Sequence, residues 1–342
     1  MKGEPESEDS LASLTAIVPL DLEFRPKDLL DKARLMADVA QKAALKVIFA
    51  HNDRNTKHDK KLKCLLQSYT GISLVSDEFY KGTVNTALLR NLAFDKVITE
   101  HLVLLDVDLW LNTPLLSKYL KKVKEGQHPF AILPCLYLSP SGSKALISGA
   151  KSPQCLSDDY FSFARKDFLH LANPSSIALM KSKDYKDLGG FDDQYSGHGY
   201  EDFDFLIRLA SKYQILSPTP DFFTNTPARS PLFAQGFRRE LGHLCLDALL
   251  DKDFFLHIFH PKNPESKTYY SLRQNNYSYF CERHKVQASG QKPYEPTLIS
   301  AFIKKCVAQE KNIHDYSIYF ENKPGHVDRV DTFRRRMKFL FQ

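Results

Sequence analysis

The stretch His101-Leu-Val-Leu-Leu-Asp-Val-Asp-Leu-Trp110 decides how the chain is interpreted. Its apolar run, residues 103–105, predicts a buried β-strand, because it is too short for a membrane span and lacks helical periodicity. Asp106 and Asp108 follow where that strand ends, at the edge where open α/β sheets bind ligands. Side chains at i and i+2 of an extended backbone point the same way, so the pair is expected to hold one divalent cation and through it a diphosphate. Because about one Asp-x-Asp pair is expected by chance in a chain of this length, the pair alone is equally compatible with a solvated strand end.

The composition is that of a soluble globular protein with one large or two ordinary domains. Of its 342 residues, 43% are hydrophobic and 26% are charged. The net charge of +6 is a mild bias that suits anionic partners such as nucleotide sugars or an acidic membrane surface, and no nucleic-acid partner is expected. The six cysteines form no C-x-x-C pair, which indicates neither a zinc site nor a disulfide framework. The N-terminal residues have no apolar segment typical of a signal peptide, so a cytoplasmic protein is expected.

The first part of the chain has the order strand, helix, strand. Residues 14–21 predict the first strand, residues 27–44 carry apolar side chains at helical spacing, and residues 45–50 predict the second strand. A polar loop, His51-Asn-Asp-Arg-Asn55, follows. This order predicts two parallel neighbouring strands joined by a right-handed crossover.

Three further segments complete the expected sheet region. A helix beginning near Tyr80 carries Asn85 and Arg90 on polar positions and leads into the Asp106 strand. Residues 130–138 predict one strand. Residues 139–156 are rich in Ser, Gly and Pro and predict a loop.

The second informative stretch is residues 187–209, Asp-Leu-Gly-Gly-Phe-Asp-Asp-Gln-Tyr-Ser-Gly-His-Gly-Tyr-Glu-Asp-Phe-Asp-Phe-Leu-Ile-Arg-Leu. Its glycines allow tight turns and a close approach of the backbone to a ligand. Glu201, Asp202 and Asp204 then introduce an amphipathic helix over residues 203–210. Acids there are stabilised by the helix dipole, or one of them faces a pocket as a general base, and the residues alone favour neither hypothesis.

The third stretch, Phe254-Phe-Leu-His-Ile-Phe-His-Pro-Lys262, is apolar and contains His257 and His260. It predicts a strand that ends at Pro261. A single histidine in such a setting is more often a buried core residue than a ligand. Because the Asp106 edge lacks the further ligands that a cation needs, His260 is a candidate ligand.

Beyond residue 263 the chain becomes polar and aromatic, and helices are expected at 298–309 and 330–341. The last segment mixes basic with large apolar side chains. Such a helix lies on an anionic membrane or docks on its own domain, and the residues leave both open.

The three stretches, in this order, resemble the GT-A fold glycosyltransferases, and most of all the β-1,4-galactosyltransferase-like and chondroitin-polymerase-like inverting enzymes. Gly189-Gly-Phe-Asp followed by Gly199-Tyr-Glu-Asp-Phe-Asp is the specific part of this resemblance. It implies an α/β, Rossmann-like open mixed sheet with flanking helices at residues 13–262. A disordered acidic tail at 1–12 and a mainly helical C-terminal extension at 263–342 complete the expected organisation.

The resemblance also implies a reaction and a role for each matching position. A hexose or N-acetylhexosamine would pass from a UDP-sugar to a saccharide or glycolipid acceptor with inversion. Mn²⁺ (or Mg²⁺) would be bound by Asp106, Asp108 and His260. The base would be Asp202, and the acceptor would contact Glu201, His198 and Tyr200. The nucleotide sugar would contact Pro19, Asp21, Asp53, Arg90, Asp106 and Gly190. These enzymes usually have Trp-Gly-Gly before Glu-Asp, where this chain has His198-Gly199-Tyr200.

The absence of a predicted anchor suggests bacterial capsule or lipopolysaccharide synthesis, in the cytoplasm or peripherally on the inner face of the plasma membrane through residues 330–341. Two alternatives stay open at this point. In a haloacid-dehalogenase-type phosphatase, Asp106 would be the nucleophile and Asp108 the acid/base. In a non-catalytic protein, the same residues would bind a nucleotide or sugar without turnover.

Overall fold

The computed structural model describes residues 11–217, 219–226, 228–261, 270–285 and 294–321. The chain forms two compact units, each made of three segments. The first consists of Met1–Ile132, Ser176–Ile215 and Pro261–His284, and the second of Leu133–Ser175, Leu216–His260 and Lys285–Gln342.

The described residues contain ten β-strands. In chain order they are β1 Leu14–Asp21, β2 Lys46–Asn52, β3 Ile72–Asp77, β4 His101–Leu104, β5 Leu109–Trp110, β6 Phe130–Ile132, β7 Cys135–Leu138, β8 Phe168–Ala172, β9 Ala178–Lys181 and β10 Phe255–His257.

Twelve α-helices lie among the described residues. In chain order they are α1 Pro26–Lys42, α2 Lys57–Leu66, α3 Thr86–Phe94, α4 Thr113–Lys124, α5 Pro140–Ile147, α6 Pro153–Phe161, α7 Ser182–Asp187, α8 Glu201–Lys212, α9 Gly236–His243, α10 Leu246–Leu250, α11 Arg273–Arg283 and α12 Ile299–Ala308. Short 3₁₀ helices occupy Leu11–Ser13, Arg165–Asp167, Pro231–Phe233 and Ile313–Phe320.

The first unit is built on a six-stranded sheet of order β3-β2-β1-β4-β9-β6. β1 pairs in parallel with β2 on one side and β4 on the other, whereas β9 is antiparallel to both of its neighbours. Every residue of β1 except Asp21 is buried, as a central strand covered on both faces requires. The mixed α/β sheet and the parallel pair at its start are confirmed. The carboxyl ends of β1, β2 and β4 share one edge of the sheet.

Two helices of this unit show how the local sequence sets their positions. α1 begins with Pro26 at its first turn, where the missing N–H leaves no hydrogen bond unmade. It buries an apolar stripe that includes Leu29, Ala33 and Met36. The Asn85 side chain caps α3 by accepting a hydrogen bond from the Leu88 amide at 2.9 Å. This cap fixes the start of the helix that carries Arg90.

The second unit contains strands in the order β10-β7-β8, with β7 parallel to β10 and antiparallel to β8. The single strand expected at 130–138 is wrong, because β6 and β7 belong to different sheets. Between them lies Pro134, which has no N–H for a sheet ladder. The loop expected at 139–156 is also wrong. Ser139 and Ser152 cap α5 and α6, and a proline occupies the first turn of each helix.

The C-terminal part is helical where it is described. α12 confirms the helix expected at 298–309. Of the disordered tail expected at 1–12, residues 1–10 lie outside the described residues, whereas Leu11 and Ala12 belong to a 3₁₀ helix and Leu11 is buried. The basic segment 330–341 also lies outside the described residues, and the domain boundary expected at 262 stays a prediction. Within the described ranges, no helix has the length and the apolar character needed to cross a membrane.

Candidate active site

The carboxyl end of β1 carries Asp21, which is fixed by a set of donors. Arg54 contacts both of its oxygens, with Nε and Nη2 each at 2.9 Å, and the Tyr80 hydroxyl donates a third hydrogen bond at 2.7 Å. Pro19 lies buried in the same strand, opposite Ala50 of β2. Asp21 is therefore an oriented carboxylate at the sheet edge.

Asp53 follows β2 at the same edge. Its carboxylate accepts a hydrogen bond from Lys63 Nζ at 2.5 Å and one from the Asn55 amide at 2.7 Å. The hydrogen bond from Lys63 holds the pKa of Asp53 below its usual value. The structure thus brings Asp21 and Asp53 to neighbouring strand ends, and their contact with a nucleoside stays a prediction.

Asp108 does not share its surroundings with Asp106. Residues 107–108 form a turn rather than an extended segment, so the two carboxylates have different partners. Asp108 is paired with Arg25, at 3.0 and 2.8 Å, and with Lys32 Nζ at 2.6 Å. The expectation that two aspartates on an extended strand point the same way is therefore wrong in its geometry.

Arg90 is the centre of the site in the first unit. The side chain is 2% exposed, and its guanidinium lies 4.8 Å from the ring centroid of Phe191. Nη2 donates to Asp106 Oδ1 at 3.0 Å, and Nη1 donates to Asp202 Oδ1 at 2.7 Å. The other oxygen of Asp106 accepts a hydrogen bond from Ser176 at 3.0 Å. One buried cation therefore joins the acid at the sheet edge to an acid at the start of α8.

Glu201 and Asp202 form the first turn of α8, where the helix dipole favours negative charge. Glu201 is 8% exposed, and its Oε1 lies 3.3 Å from the Thr86 hydroxyl. Among the described residues, no donor reaches its buried Oε2. Burial raises the pKa of Glu201 to about 8, and the neighbouring Asp202 carboxylate adds to the shift. Burial also raises the pKa of Asp202, although the Arg90 guanidinium opposes this.

Gly190 contacts the polar side of α3. Its φ is +70°, and a Cβ at this position would lie 2.3 Å from Asn91 Oδ1. That oxygen accepts hydrogen bonds from the Phe191 amide at 2.9 Å and the Tyr185 hydroxyl at 2.7 Å. Glycine is therefore required here so that the loop can approach Asn91, which keeps Phe191 close to Arg90.

The predicted acceptor residues His198 and Tyr200 precede α8. Tyr200 has a φ of +80° and is only 2% exposed. Its ring packs on α11, with centroids 5.2 Å from Tyr277 and 5.7 Å from Phe280. The His198 ring lies 5.2 Å from that of Tyr270. The structure thus brings both residues to the segment that leads into Glu201.

His260 lies in the second unit, three residues after the buried His257. The two imidazole centroids are 5.4 Å apart. The His257 ring also stacks on Tyr137 at 4.1 Å, within the sheet of that unit. One ring nitrogen of each histidine lies within 4.8 Å of the other, which suits a shared metal ion, and stacking on Tyr137 fixes the orientation of the His257 ring.

Sequence reasoning did not single out Arg25, Lys32, Arg54, Tyr80 or Ser176. Arg54 follows Asp53 directly in the polar loop after β2, so this loop could have identified Arg54 as a candidate site residue. Arg25 and Lys32 are about two helical turns apart, but nothing in their spacing identifies Asp108 as their partner. Ser176 reaches Asp106 from a distant part of the chain, and such a contact depends on the tertiary fold.

A family comparison decides the class of the protein. The family described as glycosyltransferase like family 2 matches residues 17–286, which include the strand-edge acids, Arg90 and Asp202. The chain belongs to this family. This family 2 glycosyltransferase has the GT-A fold, as its mixed sheet and the family match together establish. The alternative of a haloacid-dehalogenase-type phosphatase is therefore not supported.

Solved structures resemble the family 2 glycosyltransferase only distantly. TarS (residues 1–349) from S. aureus is 13% identical, with a TM-score of 0.38 over 57% of this chain and 54% of that chain. The catalytic domain of Drosophila β1,4-galactosyltransferase 7 in complex with xylobiose is 18% identical, with a TM-score of 0.31 over 57% and 59%. The mannosyltransferase PcManGT from Pyrobaculum calidifontis in complex with GDP-Man and Mn²⁺ is 14% identical, with a TM-score of 0.36 over 90% and 83%.

The match spans little more than half the length of the TarS and galactosyltransferase chains. At these identities and TM-scores, the likenesses carry no argument about donor, metal or acceptor. The comparison with curated proteins found no match.

Proposed function

We propose that this glycosyltransferase is a metal-dependent inverting enzyme that moves a hexose or N-acetylhexosamine from a UDP-sugar to a saccharide or glycolipid acceptor. The observation that carries the proposal is the bridge made by Arg90 between Asp106 and Asp202. It joins the sheet edge, where a nucleotide diphosphate would bind, to the acid that would act on the acceptor. Both acids therefore face one small region, as a single transfer step requires.

On the donor side, Asp21 and Asp53 would border the uridine, and Pro19 and Gly190 would line the same site. Arg54 and Tyr80 hold Asp21 in one orientation, and Lys63 holds Asp53. Hydrogen-bonded carboxylates of this kind accept from nucleobase N–H or ribose hydroxyl groups without first having to be ordered.

Asp106, Asp108 and His260 would hold the metal ion. Carboxylate oxygens and an imidazole nitrogen fit Mn²⁺ better than Mg²⁺, which keeps mainly oxygen ligands. Asp106 accepts one hydrogen bond at each oxygen and keeps lone pairs for a cation. Asp108 is bound by Arg25 and Lys32, so it would share its charge between these side chains and the metal. When bound, the ion supplies positive charge that stabilises the departing UDP.

On the acceptor side, Asp202 would take the proton of the acceptor hydroxyl. The hydroxyl oxygen would then form the bond to the anomeric carbon as the bond to UDP breaks. Attack from the face opposite the diphosphate inverts the anomeric configuration. Arg90 would keep the Asp202 carboxylate oriented, and Glu201, with its raised pKa, would donate a hydrogen bond to the acceptor as a neutral acid.

The biological setting belongs to the proposal as well. Synthesis of a bacterial capsule or lipopolysaccharide in the cytoplasm fits a nucleotide-sugar enzyme, and peripheral membrane contact through residues 330–341 rests on their sequence alone.

The test is turnover with purified protein. UDP-hexoses, UDP-N-acetylhexosamines and GDP-mannose are compared with and without Mn²⁺, with release of the nucleoside diphosphate as the readout. One UDP-sugar should be consumed in a Mn²⁺-dependent manner, and NMR of the product should show an inverted anomeric centre. Asp202→Asn should lower kcat by about 10²-fold or more, while UDP affinity changes little. Asp38→Asn, an exposed change on α1, is the matched control. Full turnover by Asp202→Asn would disprove the role of base.

A further inference from the structure

The helix α11 packs against the glycine-rich segment that leads into α8, and both belong to the first unit. Asn276 Nδ2 donates to the carbonyl of Ser196 at 2.9 Å, and the Tyr279 hydroxyl donates to Asp192 at 2.8 Å. At the far end of the helix, Arg283 Nε contacts Asp204 at 2.9 Å. Side chains of α11 therefore lie against the backbone on which the acceptor would rest.

Arg273, at the start of α11, reaches the residues directly before Glu201. Its guanidinium carbon lies 5.1 Å from the ring centroid of Tyr200. A Cβ at Gly199 would lie only 2.6 Å from Nη1 of Arg273, and Gly199 has a φ of +93°. The absence of a side chain at Gly199 is thus what gives the guanidinium room against the backbone.

The charge of Arg273 is not compensated by any residue that the structure describes. The side chain is partly buried, yet no carboxylate pairs with it among the residues that the structure describes. The other arginine of the same helix, Arg283, contacts Asp192 and Asp204. A partly desolvated guanidinium that is stacked on an aromatic ring and lacks a counter-ion is suited to bind an anion, because its planar fork matches carboxylate and phosphate oxygens.

A buried carboxylate oxygen at the end of this segment also has no hydrogen-bond partner among the described residues. Oε2 of Glu201, two residues beyond Gly199, has no hydrogen-bond partner among the described residues, although the side chain is 8% exposed. A saccharide hydroxyl at this position would satisfy it. Among the described residues, a cation without a counter-ion at the start of α11 and an acid with an unsatisfied oxygen at the start of α8 therefore lie at the same short stretch before α8.

We propose that Arg273 binds an anionic group, a carboxylate or a phosphate, on the saccharide acceptor. The enzyme would thus select an acidic glycan over a neutral one. The proposal rests on the proposed function, since it concerns the acceptor of that same site. The nearby acids would repel an anionic acceptor, so such an acceptor needs a cation of its own on this side of the site, and Arg273 supplies it. Arg90 does not fill this role, because Asp106 and Asp202 already compensate it.

The test compares the binding of methyl β-glucuronide, glucose 6-phosphate and methyl β-glucoside to the full chain in the presence of UDP and Mn²⁺, by ligand-observed NMR. At least one anionic probe should bind about tenfold more tightly than the neutral glucoside. Comparing the two anions tells a carboxylate site from a phosphate site. Arg273→Gln should abolish this preference and leave glucoside binding unchanged. Arg273→Lys should keep part of it, because the charge remains but the fork is lost. Arg34→Gln, which removes an exposed positive charge on α1, should keep the full preference for the anionic probe.

Two results would overturn the proposal: no preference for either anion in the unmodified protein, or an equal loss of all three probes in Arg273→Gln, which indicates a structural role. A thermal shift with UDP, measured separately without saccharide, reports on the proposed function. Absence of that shift would count against the nucleotide-sugar enzyme itself, whereas an intact shift without anion preference would overturn only the role of Arg273.

Discussion

Replacing Glu201 by Gln should make the protein more stable, and increasingly so as the pH rises. Burial and the adjacent Asp202 carboxylate raise the pKa of Glu201 from 4.5 to about 8. A group whose folded-state pKa is raised contributes stability that is fully present below its unfolded pKa and is lost as the pH rises through the folded value. The unmodified protein should therefore lose stability between about pH 4.5 and pH 8, and the Gln variant should not.

The magnitude follows from the size of the shift. Each pKa unit corresponds to about 1.4 kcal/mol, so a shift from 4.5 to about 8 gives an upper limit of about 5 kcal/mol above pH 8. Between pH 5 and pH 8 the limit is smaller, about 3 to 4 kcal/mol, because part of the effect is already present at pH 5. Since Asp202 shares the repulsion, we expect a difference of about 2 kcal/mol over this interval.

Urea unfolding of both proteins at pH 5, 6, 7 and 8 measures this difference. The free energies of unfolding should diverge as the pH rises, with equal m-values. Glu78→Gln, at an exposed position, is the control and should give a curve parallel to that of the unmodified protein. Parallel curves for Glu201→Gln would refute the argument, since Glu201 would then be ionised in the folded state like an exposed acid.

Four further outcomes are expected. Arg90→Lys should lower kcat by about 10²-fold with a smaller change in UDP affinity, because an ammonium cannot bridge two carboxylates in one plane; steady-state kinetics decides this. Asp204→Asn should destabilise the fold by about 3 kcal/mol at pH 7, as measured by urea unfolding. Since the pKa of Asp204 is lowered in the folded state, the difference in the free energy of unfolding between the two proteins should shrink as the pH falls below about 4. Gly190→Ala should lower the melting temperature, because its Cβ would collide with Asn91; an unchanged melting curve would contradict this. His260→Ala should raise the Mn²⁺ concentration needed for half-maximal turnover by about tenfold or more.

The sequence was sufficient for the features that depend on local pattern. Alternation of strand and helix at the start of the chain predicted the parallel pair of β1 and β2, and the apolar run before Asp106 predicted β4. The Gly-Gly-Phe-Asp and Glu-Asp motifs located α8 and its first turn. Each of these signals lies in one continuous segment of the chain, so no knowledge of tertiary contacts was needed.

The features that the sequence did not reveal depend on backbone detail or on distant partners. The turn at 107–108 separates Asp106 from Asp108, and no spacing rule distinguishes it from a continued strand. Serine and proline in residues 139–156 are typical of loops, but at the start of a helix serine is a cap and proline fits the first turn. The hydrogen bond from Arg90 to Asp202 joins residues 112 positions apart. The helical spacing did place Arg90 at a polar position of its helix, but it did not identify the partners of Arg90.

The charge around Arg90 gives a physical reason to expect a cation at this site. One guanidinium faces two carboxylates directly, and Glu201 lies beside them. With Glu201 neutral, this group of side chains still carries a net negative charge. A nucleotide diphosphate is itself an anion, so its binding at Asp106 would add repulsion to a site that has no spare positive charge at Arg90. A divalent ion at the sheet edge removes that conflict, which predicts that UDP binds weakly without metal and that high ionic strength alone does not replace the ion. Titration of UDP by calorimetry in EDTA, in 0.5 M NaCl and in Mn²⁺ separates these cases, and equal affinity in all three would contradict the argument.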